Sequence, residues 1–276
     1  MENQTTIFSQ FVKLHYNFKN NSNNIVYPSK LSFSNKINKR FKQILETSSL
    51  YAATFEEVND IDECTYSSPE NVSIYREKSS QLICCFSFDK QKNNIETNEC
   101  DKNNKFEEDL MWAHYANGCL GVRINFKIPK QYSIEEDTET KIVFPVQYDD
   151  ELLTVNNQSD AIKRVIDIMT HKKKCWSYEQ EYRAVFHEPL FYDKDKQYRV
   201  PENRFPIIIS EIILGRKFCK INAPFSENKQ HIQGIAKQIK NILVKSGKYR
   251  EDNLPEIKAY RERYENTPDW KPLEEN

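Results

Sequence analysis

Cys175-Trp176-Ser177-Tyr178-Glu179-Gln180-Glu181-Tyr182-Arg183, running on through Ala184-Val185-Phe186, carries the most informative alternation in the chain. As a β-strand its side chains alternate between two faces. Trp176, Tyr178, Tyr182, Ala184 and Phe186 then share one face, interrupted by Gln180 alone, while Glu179, Glu181 and Arg183 line the other. This alternation predicts a central strand with the aromatic residues in the core and the charged ones facing a cleft. Two carboxylates about 7 Å apart on a rigid strand, with a guanidinium beside them, can engage a sugar hydroxyl or a developing cation. The pattern is equally that of a solvated sheet face carrying a neighbouring ion pair.

Working outward, the 276-residue chain is long enough to bury a substantial core, and 16 Phe and 15 Tyr exclude a disordered chain. A net charge of −1 gives no whole-protein case for nucleic-acid or membrane binding. The charge is uneven, however: Lys13 to Lys42 holds seven Lys and Arg residues and no acid, and acids dominate from Glu46 to Glu63. Seven scattered cysteines, with Cys84 and Cys85 adjacent in an apolar run, form no disulfide framework and no zinc-ligand spacing. They read as reduced thiols, Cys84 and Cys85 buried, with no metal bound. No apolar run approaches 18 residues, and Met1-Glu2-Asn3-Gln4 lacks a signal peptide's charged start. The expectation is a cytoplasmic protein with no membrane partner.

Periodicity predicts a helix at Phe8–His15 and a short apolar segment at Ile25–Tyr27. A helix after Ser34 carries Ile37, Phe41, Ile44 and Leu45. A strand-like piece at Leu50–Thr54 precedes the turn-prone Val58-Asn59-Asp60, and Leu82–Phe88 reads as a buried strand. A polar loop over Lys90–Lys105 leads to a helix over Phe106–Asn117 ended by Gly118. Strands follow at Gly121–Phe126 and Ile142–Tyr148, the latter interrupted by Pro145, then a helix capped by Ser159. A charged hairpin or loop near Tyr192–Arg204 precedes the strand Ile207–Leu214. Ser226 opens a long helix closing near Gly247, and a short helix around Ile257–Tyr264 ends the ordered pattern. Strands and helices mix without regular βαβ alternation, which favours α+β over a doubly wound sheet. One domain over 1–276 is expected, with its core at about 25–245 and a polar tail at 250–276.

Five glycines and the absence of G-x-G-x-x-G, Walker or G-x-S-x-G patterns argue against a Rossmann site or a nucleophile elbow. Met111-Trp112-Ala113-His114-Tyr115 reads either as core anchors or as an aromatic wall lining a pocket for a flat ring. Ser87 is one hydroxyl among apolar neighbours. Tyr27 and Lys30 follow the first strand, where they can reach a phosphate or a base.

These segments together resemble the domain of unknown function 2971 family, a widespread bacterial group. Ser49-Leu50-Tyr51 through Phe55-Glu56-Glu57-Val58-Asn59-Asp60 is similar to its opening motif, and Cys85-Phe86-Ser87 to its C-F-S. Met111-Trp112-Ala113-His114-Tyr115-Ala116 with Gly121–Phe126, Trp176–Arg183 and Glu211–Gly215 are similar to its later motifs, so the resemblance covers about Ile25 to Leu243. That family resembles in turn the ADP-ribosyltransferase fold, a mixed, split β-sheet flanked by helices that binds NAD without a Rossmann motif. The resemblance implies an NAD-dependent ADP-ribosyltransferase-like enzyme, with bacterial defence or toxin action as its setting. NAD would be its co-substrate, and a protein or nucleic acid its acceptor. Glu181 would be the catalytic carboxylate and Glu179 its assistant. Tyr27, Lys30, Tyr51, Ser87, His114, Tyr115 and Arg183 would bind the cofactor. The residues themselves leave two other readings open: a non-catalytic nucleotide- or nucleic-acid-binding module on the same fold, and a glycoside- or nucleotide-hydrolase using Glu179 and Glu181.

Overall fold

The aromatic and β-branched runs do form strands, and the helical stripes pack on them. The computed structural model describes residues 6–14, 19–21, 24–26, 31–33, 35–58, 64–70, 73–88, 101–132, 141–156, 160–187, 190–193, 198–218, 225–260 and 270–272. Helices and mostly antiparallel strands make a mixed α+β architecture. The chain divides into two compact units, Met1–Phe8 with Ser49–Ile95 and Ile128–Ile207, and Ser9–Ser48 with Glu96–Lys127 and Ile208–Asn276.

In the first unit the strand Leu82–Phe88 lies antiparallel to Glu181–Phe186, which pairs on its other side with Val143–Pro145. Directly opposed residues of an antiparallel ladder project from the same face. One face therefore carries Ile83, Cys85 and Ser87 beside Val185, Arg183 and Glu181, and the other carries Leu82, Cys84 and Phe86 beside Phe186, Ala184 and Tyr182. The second of these is aromatic: Phe8 meets Phe86 and Tyr182 edge-on at 5.1 and 5.3 Å, and Phe205 stacks on Phe86 at 5.8 Å. The helix Ala161–Met169 covers the first face, where Val165, Ile168 and Met169 join Ile83, Val185, Ile74 and Cys64 in a buried cluster. Asp160, rather than Ser159, caps that helix, its carboxylate accepting from the Ile162 and Lys163 amides. Arg204 ties the short ladder Ser49–Tyr51 with Arg204–Pro206 together by donating to the Ser49 hydroxyl at 2.7 Å.

In the second unit the strand Ile208–Leu214 lies antiparallel to Val122–Lys127 and parallel to Glu256–Tyr260, which pairs with Trp270–Pro272. Val122, Ile124 and Phe126 are buried as their alternation predicts, yet Arg123 and Asn125 between them are buried as well. A polar ladder satisfies them: Arg123 donates to Glu108 and Asn125, and Asn125 to Glu211, which Lys258 also engages at 2.6 Å. The helix Phe225–Lys245 buries Ile232, Ile235, Ile239 and Leu243 at three- and four-residue spacing, and its Gln238 side chain grips both backbone polar groups of Leu31. Gly121 and Gly215 are required by close approach: a Cβ on either would lie 2.1 Å from the Val12 carbonyl or 2.3 Å from that of Cys119.

Several expected elements change type. Phe8–Val12 is a strand, not the start of a helix, because Phe8 finds an aromatic partner in Phe86 of a strand and Phe11 one in Trp112 of a helix; His15 lies outside the described residues. Asp101–Lys105 already belongs to the helix Asp101–Tyr115, the rest of the expected loop, at 90–100, lying outside the described residues. Ile257–Tyr260 is strand rather than helix, since parallel pairing with Ile212–Leu214 supplies its backbone hydrogen bonds. The cap expected of Ser34 falls outside the described residues, while the cap expected of Ser159 is supplied by Asp160.

The largest departure is at residues 175–186. Lys174–Glu179 forms a 3₁₀ turn, Gln180 takes the left-handed conformation at φ 46°, and the strand begins only at Glu181. Gln180 secures the turn twice, its amide and its side chain both donating to the Ser177 carbonyl, while the Lys174 amide is held by Asp150. Trp176, Tyr178 and Tyr182 are consequently half-buried instead of sealed in the core.

Candidate functional site: a buried four-charge cluster

Glu179, Glu181 and Arg183 are more deeply enclosed than a cleft-facing row would be, at 5%, 5% and 0% exposed. The 3₁₀ turn swings Glu179 off the strand, yet both carboxylates meet again at a lysine. Lys172 Nζ lies 2.7 Å from Glu179 Oε2 and 3.2 Å from Glu181 Oε2. The same ammonium sits 4.9 Å from the centre of the Trp176 ring, a cation–π contact. Arg183 donates through Nε to Glu181 Oε1 at 2.8 Å and through Nη2 to Oε2 at 3.2 Å, while its Nη1 closes on the Met169 carbonyl at the helix end. Two carboxylates and two cations share one buried volume with no formal excess charge.

The elements that assemble this cluster are all local to the first unit. Lys172 comes from the strand His171–Lys172, which lies parallel to Gln147–Tyr148. The Tyr148 hydroxyl accepts from the Glu181 amide at 2.8 Å. From the neighbouring ladder, the Cys85 thiol hydrogen-bonds the Glu181 carboxylate. Burial alone would push the Glu181 carboxyl up, but Arg183 first and Lys172 second overturn this and bring it down to about 2. Glu181 is therefore an anion at neutral pH. Burial raises the Tyr148 and Tyr178 phenols and holds the Cys85 thiol well above the ordinary range, so all three stay protonated.

Of the other expected site residues, Ser87 is half-buried and stands directly opposite Glu181 in the ladder, so the two project from the same face. Tyr51 is in the ladder against Arg204–Pro206, 55% exposed, its hydroxyl donating to Glu57 at 2.9 Å. His114 and Tyr115 end the helix Asp101–Tyr115 of the second unit, the first exposed and the second half-buried, their rings 6.4 Å apart. Trp112 beside them is a core anchor, edge-on to Phe11 and donating its indole N–H to Glu108. Tyr27 and Lys30 lie outside the described residues. Among the described residues no group of three or more His, Cys, Asp or Glu side chains is placed to hold a metal ion.

Sequence reasoning missed Lys172 and Cys85 as partners of the carboxylates, and Tyr148 as the partner of the Glu181 amide. Lys172 opens a run of three lysines, of which Lys173 and Lys174 are exposed, and nothing in the run marks which one turns inward. Tyr148 carried the better signal, as an aromatic closing an apolar strand with a hydroxyl that needs a partner when buried.

Residues 111–184 match the family described as protein of unknown function (DUF2971), a segment that spans the Met111–Ala116 and Trp176–Arg183 motifs. Over that segment the chain is similar to this family. Comparison with curated proteins gives no match, and comparison with solved structures gives none either. Among the described residues no helix is long and apolar enough to cross a membrane.

Proposed function

We propose that this chain is an ADP-ribosyltransferase-like enzyme that cleaves the bond between nicotinamide and ribose in NAD. The observation that carries the reading is the placement of an ionised Glu181 directly opposite Ser87, with Glu179 tied to it through Lys172. In this reading Glu181 accepts a hydrogen bond from the ribose 2′-hydroxyl and stabilises the positive charge that develops as nicotinamide departs. Arg183 keeps that carboxylate charged and fixed in rotamer. Ser87 contacts the nicotinamide side, and Glu179 takes the proton of the acceptor hydroxyl. The ADP-ribosyltransferase-like sheet, a cytoplasmic defence or toxin role and a protein or nucleic-acid acceptor belong to the same proposal.

A second reading competes with it. Both Glu181 oxygens are engaged by Arg183 and Lys172, and only 5% of the residue is exposed, which favours a structural brace joining the 3₁₀ turn to the sheet. Purified protein at millimolar NAD separates the two. The enzyme reading expects nicotinamide release that Glu181→Gln lowers at least about 100-fold, with NAD affinity changed less than about tenfold. Absence of NAD binding by calorimetry, with no nicotinamide released across candidate acceptors, leaves the brace alone standing.

A further inference from the structure

Lys172 touches both carboxylates of the cluster, and its partners come from the turn and from the sheet. Glu179 reaches it from the 3₁₀ turn and Glu181 from the sheet. Trp176 lies against it from within the turn. Around this core stand Arg183 on Glu181, the Tyr148 hydroxyl at the Glu181 amide, the Cys85 thiol on the Glu181 carboxylate and the half-buried Tyr178. Tyr148, Cys85 and Tyr178 stay neutral, so the balance of charge rests on two anions and two cations.

Two buried carboxylates close together cannot both ionise without compensation; one keeps a proton. Arg183 is committed to Glu181 through two nitrogens and locked to the Met169 carbonyl by the third. The second anion, Glu179, is balanced by Lys172 at 2.7 Å. We infer that Lys172 is a positioning residue that holds Glu179 ionised and aimed at the site, so that Glu179 serves as a base at neutral pH. This rests on the proposed transferase reading for its chemistry, and on the geometry alone for its charge assignment. Without the lysine, Arg183 stays on Glu181, and the proton taken up goes to Glu179.

Lys172→Met, Lys172→Arg and Lys172→Met/Glu179→Gln test this with an infrared readout and an activity readout. At pH 7 Lys172→Met should show the carbonyl band of a protonated carboxyl that wild type and the double variant lack. Transfer to an acceptor should fall in Lys172→Met at neutral pH and recover above about pH 8, and Lys172→Arg should restore the wild-type profile. Should Lys172→Met unfold at neutral pH, its stability relative to the double variant must rise as pH falls. A carboxyl whose pKa is raised in the fold adds stability below that value and loses it above. A folded Lys172→Met without the band, or a band that survives Glu179→Gln, overturns the inference. If the band behaves as expected while wild type releases no nicotinamide, the charge assignment stands and the transferase reading falls.

Discussion

Replacing Glu181 by Gln while lowering pH measures what the buried cluster contributes. Glu181 ionises near 2 in the folded chain against an ordinary value of 4.5, a difference equivalent to about 3 kcal/mol of folding free energy. The sign follows from the direction. A carboxyl depressed in the fold stabilises fully above its unfolded value and loses that contribution as pH falls through its folded one. At pH 7 Glu181→Gln should therefore cost about 3 kcal/mol or somewhat more, because Arg183 and Lys172 stay buried with one carboxylate fewer. By pH 3 wild type has itself lost most of the contribution, and the gap between the two proteins should shrink to about 1 kcal/mol. Urea unfolding followed by circular dichroism at pH 7, 5, 4 and 3 reads this directly, with unchanged m-values showing that both proteins lose the same structure. A gap that stays constant across this range, or that is absent at pH 7, refutes the account of Glu181 as an anion held by two buried cations.

The remaining expectations concern the frame. Gly121→Ala should cost more than about 3 kcal/mol, since its Cβ would meet the Val12 carbonyl at 2.1 Å and the Ala116 backbone at 2.9 Å. Gly247→Ala, with φ at +73° and nothing within 4 Å, should cost only about 1 kcal/mol by thermal melts. In the folded protein the exposed Cys175 should react with a thiol reagent long before Cys84 and Cys85, whose thiols burial holds far above the ordinary range; mass spectrometry of the labelled peptides checks the order. Asp160→Ala removes the acceptor at the start of the helix Ala161–Met169 and should lower stability by about 1 kcal/mol in urea titrations.

The elements legible from residue order alone are those whose periodicity has one solution. Leu82–Phe88 and Ile208–Leu214 are apolar runs too short for helices and rich in Ile, Leu and Phe, and both are strands. The stripe Phe41, Ile44, Leu45 and the row Ile232, Ile235, Ile239, Leu243 fit only a helix, and both are buried. Phe8, Phe11 and Val12 have helical spacing, yet aromatic partners on distant segments, Phe86 for Phe8 and Trp112 for Phe11, accompany a strand there instead. At the candidate site the sequence marked Glu179, Glu181 and Arg183 as unusual but supplied the wrong reason for their meeting. Alternation placed them along one strand, whereas Gln180 in the left-handed conformation breaks that strand and Glu179 returns from a turn. Only the tertiary structure brought Lys172 and Cys85 onto the Glu181 carboxylate and the Tyr148 hydroxyl onto the Glu181 amide. A charge can be buried only where opposite charges and donors meet it, and those partners converge through packing that no local spacing records.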